Sequence, residues 1–202
     1  MKIYESHNAP NPRRVRFFLA EKGIQVLYEE IDIGNKVNRG DEFRRKNPLG
    51  TVPVLELDDG TFISESVAIC RYFEEIHPLP ALFGADAKDR ALVEMWNRRI
   101  EFNLLQPIAD AFRQRHDFFK GRIRQLPEYA EVQRLNAEDG LNWLDRELGA
   151  RHFIAGDRFS IADITAVVAI DFGRVSKITI KPEQQNLARW HAEISARPSA
   201  KA

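Results

Sequence analysis

Four residues, His77-Pro78-Leu79-Pro80, divide this chain. The two prolines fix their own backbone angles and push the residue before each toward extended geometry, so neither helix nor strand runs through them. Upstream, strand and helix signals alternate. Downstream, every apolar period is helical. A chain written this way is restricted to two packed parts: a small sheet covered by helices, then a helical bundle. The boundaries read as 1–80 for the first part and 86–202 for the second.

In the first part, Lys2–Tyr4, Val26–Ile31, Val52–Leu57 and Thr61–Ile63 are strand candidates, the last two joined by the hairpin turn Asp58-Asp59-Gly60. Arg13–Lys22 reads as a helix closed by Gly23, with Pro12 in its first position and Asn11 as its N-cap. Ser66–Ile76 is a second helix. In the second part, Leu92, Trp96, Ile100 and Leu104 recur at helical spacing along Lys88–Phe112, which Pro107 kinks or interrupts. Further helices cover Glu128–Leu148, Ile161–Phe172 and Gln184–Ala196, the third apolar on all sides.

Composition narrows the function classes. Lys plus Arg and Asp plus Glu both total 30, so the formal net charge is zero. That gives no global reason for a nucleic acid or anionic membrane partner. No apolar run approaches the ~20 residues of a membrane span, and the first residues lack the apolar stretch of a signal peptide. The single cysteine, Cys70, excludes an internal disulfide and fits a reducing cytoplasm. It lies on an apolar helical stripe and reads as a buried filler rather than a nucleophile.

The chemistry is concentrated in Asn47-Pro48-Leu49-Gly50-Thr51-Val52-Pro53-Val54-Leu55 and, ten residues on, Phe62-Ile63-Ser64-Glu65-Ser66. Pro53 heads a strand, where proline is tolerated, and an X-Pro bond can be cis. A cis bond would turn the N–H and C=O of Val52 outward, ready to pair with an extended peptide. Read alone, Pro53 is equally an ordinary trans proline. Ser66 opens a helix, so its N–H and hydroxyl can hold a carboxylate; Glu65 can pair with an ammonium group. Read alone, the pair is only a helix start. Together the three features match a γ-glutamyl tripeptide.

The segment from Asn47 to Glu75 resembles the glutathione-binding half of the cytosolic glutathione transferases, and the resemblance extends along the chain. Phe159-Ser160-Ile161-Ala162-Asp163 is similar to a second signature of that family, a capping box with Ser160 as N-cap, Asp163 at N3, and Phe159 and Ile164 as hydrophobic staple. The resemblance implies an α/β thioredoxin-like N-terminal domain and an all-α C-terminal domain supplying an electrophile pocket. It implies glutathione as co-substrate held by Val52, Pro53, Glu65 and Ser66, with Lys36 and Asn38 meeting the glycyl carboxylate. It implies no metal, a cytoplasmic homodimer and a detoxifying conjugation.

Family enzymes bind the thiol as thiolate, usually beside a Tyr, Ser or Cys near the first helix. That position falls here at about Ala9, and Tyr4 within the first strand is not read as its substitute. The loop His7–Arg14 resembles instead an atypical yeast-like branch that relies on the helix N-terminus. Lowering a thiol pKa by two units takes about 2.7 kcal/mol. A helix end supplies ~0.3–1, up to ~2 when partly buried, and a charge-assisted hydrogen bond ~1.5–3. At least one direct donor is therefore expected: Asn11 first, Ser6 second. The yeast-like branch also uses polar residues of the helical domain, whose matching positions are occupied by Ala109 and Arg113. His7, Phe112, Arg113 and His116 are the candidates for the electrophile pocket. Three functions stay open on sequence: conjugation of glutathione to small apolar electrophiles, a non-catalytic binding or interaction protein, or another glutathione-dependent reaction such as isomerisation, dehalogenation or peroxide reduction.

Overall fold

The computed structural model describes residues 1–202. It separates into two compact units, residues 1–81 with 201–202, and residues 82–200.

The first unit is built on β1 (Lys2–Glu5), α1 (Pro10–Glu21), β2 (Leu27–Glu30), α2 (Asp41–Lys46), β3 (Val54–Glu56), β4 (Phe62–Ser64) and α3 (Ser66–Ile76). The sheet order is β2-β1-β3-β4. β1 runs parallel to β2 and antiparallel to β3, and β3 antiparallel to β4. The parallel pair needs a crossover, which α1 supplies. This is the mixed sheet the sequence implied. The strands are shorter than read: β3 begins at Val54, after Pro53, because proline has no N–H to give the ladder. The helix α2 was not foreseen. It has six residues and buries only Phe43, which leaves no periodic signal.

α1 starts earlier than the sequence suggested. Its N-cap is Ala9, with Pro10 and Pro12 in the first turn and no side chain capping it. Asn11 is thus inside the first turn, not its cap. Either Asn11-Pro12 or Ala9-Pro10 satisfies the preference for proline at a helix start, and the longer helix wins. Gly23, at φ +65, closes the helix in the left-handed region as read. α1 packs on α3. Their contact carries charge: Lys22 Nζ lies 2.7 Å from Glu74, both side chains buried, and also donates to the carbonyls of His77 and Pro80.

The second unit holds α4 (Ala87–Ile100), a π-helical turn (Glu101–Leu105), α5 (Gln106–Arg113), α6 (Pro127–Leu148), α7 (Ile161–Gly173) and α8 (Gln185–Ser195). Pro107 acts as expected of an interrupter: it offers no N–H to the Asn103 carbonyl, and the π turn sits just before it. The widened turn presses on α6 at Gly140, where an added Cβ would overlap the Asn103 carbonyl oxygen. Gly140→Ala is expected to cost about 1–3 kcal/mol, read as a lower midpoint in a denaturant melt, whereas alanine at an exposed helical glycine would stabilise.

α7 is buried from Ile161 to Ile170 and forms the axis of this unit. Its capping box is present: Ala162 N–H donates to Ser160 Oγ, and Ser160 N–H to Asp163 Oδ2 at 3.0 Å. Asp163, fully buried, does more than cap. Its Oδ1 also accepts from Ile154 N–H at 3.0 Å and from Trp190 Nε1 at 2.9 Å. One carboxylate thereby ties α7 to the segment before it and to α8. Phe159 packs against Phe153, with the Arg197 guanidinium over its ring. No helix of the chain is long and apolar enough to cross a membrane.

Candidate functional site

In the first unit, the sheet itself assembles the site. β1 pairs Tyr4 with Val54, and β3 pairs Val54 with Ser64. Val52-Pro53 enters β3 and Glu65-Ser66 leaves β4 at the same end of the sheet, the end where β1 runs out into Ser6. α1 then begins four residues after Ser6. The sequence separated these groups by up to 60 positions; strand pairing brings them together.

Val52-Pro53 is cis. Val52 N–H and C=O make no hydrogen bond within the chain, while its side chain packs against the cluster of Tyr4, Ile31, Phe43 and Val54. The loop before it is held from behind. Asn47 Nδ2 donates to the carbonyl and hydroxyl of Thr51, each at 2.9 Å, and its Oδ1 accepts from Leu49 N–H. Arg39 donates to the Leu49 carbonyl. Gly50 sits at φ +60, and a Cβ there would press on the Asn38 carbonyl at 2.6 Å, so only glycine fits. Asn38 departs from its expected role. It is 9% exposed and its amide donates to Gly50 O at 2.6 Å, so it braces the loop rather than reaching outward. Lys36 is exposed, at φ 62, with no carboxylate against it.

Glu65 is the N-cap of α3 at φ +67, a left-handed conformation that a non-glycine residue adopts at a cost. Glu65 is exposed and Ser66, next to it, is buried. The Ser66 oxygen accepts from Arg14 Nη1 at 3.2 Å.

At the start of α1, Pro10 and Pro12 carry no N–H, and Arg13 N–H donates to Ala9 O at 3.2 Å. That leaves Asn11, through its backbone N–H and its amide, as the donor of the first turn. No acidic residue lies in that turn to offset the positive end of the helix. Ser6 is 7% exposed, and its carbonyl accepts from Ala9 N–H. Tyr4 is committed elsewhere: its hydroxyl donates to Glu56 at 2.5 Å. His7 has an exposed ring, and its N–H donates to Glu30. Arg14 and Arg16 are buried, which sequence alone could not show; Arg16 pairs with Glu5 and with the His7 carbonyl. Cys70 is fully buried on α3, and burial pushes its thiol up to about 12, so it is no nucleophile.

In the second unit, Phe112 and His116 line a cleft of about 250 Å³ with Ala111, Ala130 and Val175. Phe112 lies tilted against His116, ring centres 4.5 Å apart, and meets Phe119 and Phe172 edge-on. His116 Nδ1 accepts from Phe118 N–H. Arg113 does not line this cleft; its side chain lies 3.9 Å from Asp110.

The first unit is thus a thioredoxin-like domain with an unpaired backbone at Val52, a buried serine opening α3 and an exposed carboxylate beside it. Two family profiles match the chain: glutathione S-transferase N-terminal domain over residues 9–76 and glutathione S-transferase C-terminal domain over residues 118–198. The chain belongs to the glutathione S-transferase family. It is 36% identical to glutathione S-transferase 2 of Saccharomyces cerevisiae, over all of this chain and 88% of that protein. The crystal structure of Gtt2 from the same yeast superposes with a TM-score of 0.95, at 36% identity, over 100% of this chain and 99% of that one. A glutathione S-transferase domain-containing protein of Marinobacter aquaeolei VT8 gives 0.94 at 38% identity, covering 98% and 99%.

Proposed function

We propose that this chain binds glutathione as its thiolate and conjugates it to small apolar electrophiles. The observation that carries the reading is the open Val52 backbone at the same end of the sheet as Ser66 and the strained Glu65. In this reading the cysteinyl backbone of glutathione pairs with Val52 beside Pro53. Ser66 N–H and hydroxyl hold the γ-glutamyl carboxylate, Glu65 its ammonium group, and Lys36 the glycyl carboxylate. Asn11 donates to the sulfur, with Ser6 behind it. The cleft of the helical unit at Phe112 and His116 is the candidate seat for the electrophile. Conjugation then needs no proton transfer at the attacking step: the thiolate sulfur forms a bond to an electron-poor carbon and expels its leaving group.

Exposed Phe102, Tyr129 and Val132 on the helical unit support a homodimer, which light scattering reads directly. Turnover of a chlorinated nitroarene, saturable in glutathione, tests the enzyme activity; glutathione binding without turnover would reduce the chain to a binding protein.

Asn11→Ala is expected to raise the pKa of the bound thiol by about one unit and lower kcat/KM about tenfold, the worth of one charge-assisted bond. The ultraviolet band of the thiolate, titrated in the complex, gives the first number. An unchanged titration would remove Asn11 from the thiol.

A further inference from the structure

His116 uses one ring nitrogen and leaves the other idle. Phe118 N–H donates to Nδ1 at 3.1 Å, so Nδ1 carries no proton. In a neutral imidazole the proton then sits on Nε2, which is a donor. Nε2 meets no hydrogen-bond or ion-pair partner in the chain. Capping the Asp117–Phe119 turn takes only an acceptor, which Asn or Ser would supply at such a position. The second nitrogen is surplus to that task, and its residue lines the cleft.

The rest of the cleft says what this donor would meet. Ala111, Phe112, Ala130 and Val175 give it an apolar lining. A cavity of about 150 Å³ holds benzene, so about 250 Å³ seats one aromatic ring with a short arm. The rim carries no surplus charge to hold an anion. Arg134 is bound by Glu131 and Glu138, and Arg115 lies 3.8 Å from Glu131.

We propose that His116 Nε2–H is a specificity-determining donor, and that the cleft takes uncharged aryl electrophiles whose reacting carbon is conjugated to an acceptor oxygen, as in an aryl enone. The premise is that this cleft seats the electrophile. When the thiolate sulfur bonds to the β carbon of an enone, the C=C electron pair moves onto the carbonyl oxygen. Nε2–H donates to that oxygen as its charge grows, and the α carbon then takes a proton from water.

The test uses the unmodified protein with 15N-labelled histidine, the His116 resonances being assigned against His116→Asn. The free protein should show Nδ1 bare and Nε2 protonated; the opposite tautomer overturns the proposal. Two unreactive probes follow, 4-phenylbutan-2-one and butylbenzene, which differ at the carbonyl. The ketone should shift Nε2 and the hydrocarbon should shift it much less. An equal response to both overturns the donor role while leaving the seat in place. No response to either removes the seat, and the proposal with it. Kinetics gives the second readout, the ratio of kcat/KM for 4-phenylbut-3-en-2-one to that for benzyl chloride. His116→Asn keeps an acceptor for Phe118 N–H and loses the ring N–H, and should lower this ratio about tenfold, the worth of one hydrogen bond to a charged group. Ser176, the other lining residue whose side chain has no partner in the chain, is the rival donor. A ratio kept in His116→Asn, or lost only in Ser176→Ala, overturns the proposal.

Discussion

Asp163→Ala is expected to destabilise the chain by about 3–6 kcal/mol, the largest effect of any single substitution argued for the helical unit. The carboxylate accepts from Ile154 N–H, Ser160 N–H, Ser160 Oγ and Trp190 Nε1. Ile154, Ser160 and Trp190 are themselves buried. Alanine strands three N–H groups away from water, at about 1–2 kcal/mol each, and opens a gap in a packed core. For a chain of this length the thermal midpoint should fall by about 10 °C or more. Asn is no rescue, since its amide nitrogen would face a donor. A loss under about 1 kcal/mol would mean that the four contacts are not held in solution.

The same group gives a pH dependence of definite sign. Burial pushes the Asp163 carboxyl up from its ordinary 3.8 to about 6, outweighing the donors that pull it down. Between those values the folded chain holds a proton that the unfolded chain has released, so this group's contribution to stability falls as pH rises. A shift of about two units corresponds to about 3 kcal/mol. The stability gap between wild type and Asp163→Ala should therefore be widest below pH ~4, narrow until pH ~6, and stay constant above. Urea melts of both proteins across that range measure it; a gap that widens with pH would contradict the assignment.

Glu65→Gly is expected to separate function from stability. Glu65 adopts φ +67, where glycine has no Cβ penalty. Relief of that strain, of order 1 kcal/mol, should leave the melting temperature unchanged or raise it. Binding should suffer, because the variant removes the carboxylate read as the partner of the γ-glutamyl ammonium. Losing a charge-assisted contact of ~1.5–3 kcal/mol weakens glutathione about tenfold or more. A variant both less stable and fully able to bind would show that the conformation serves the fold and not the ligand.

These two positions also mark what the sequence made legible. Ser160 and Asp163 announce a helix start by their spacing alone, because a capping box is local. The spacing does not reveal Trp190, whose indole reaches the carboxylate from another helix. Glu65-Ser66 and Val52-Pro53 read as a pair through their separation, and the pairing of Val54 with Ser64 puts both at one end of the sheet. The inward placing of Asn38 and Arg14 was not legible for a common reason. Both are polar residues in segments that read as loop or exposed helix, and only tertiary packing turns them inward, one onto Gly50 and the other onto Ser66. The start of α1 was misjudged because Ala9-Pro10-Asn11-Pro12 offers two proline-compatible starts within three residues. The helix α2 was invisible because its packing rests on Phe43 alone.

The account stands on glutathione binding at the Val52–Ser66 end of the sheet. Isothermal titration of glutathione into the unmodified chain tests this most directly, with Ser66→Ala run alongside. The predicted result is saturable binding of one glutathione per chain, weakened about tenfold or more in the variant. Absence of saturable heat in the unmodified chain, or equal affinity in the two proteins, would contradict it.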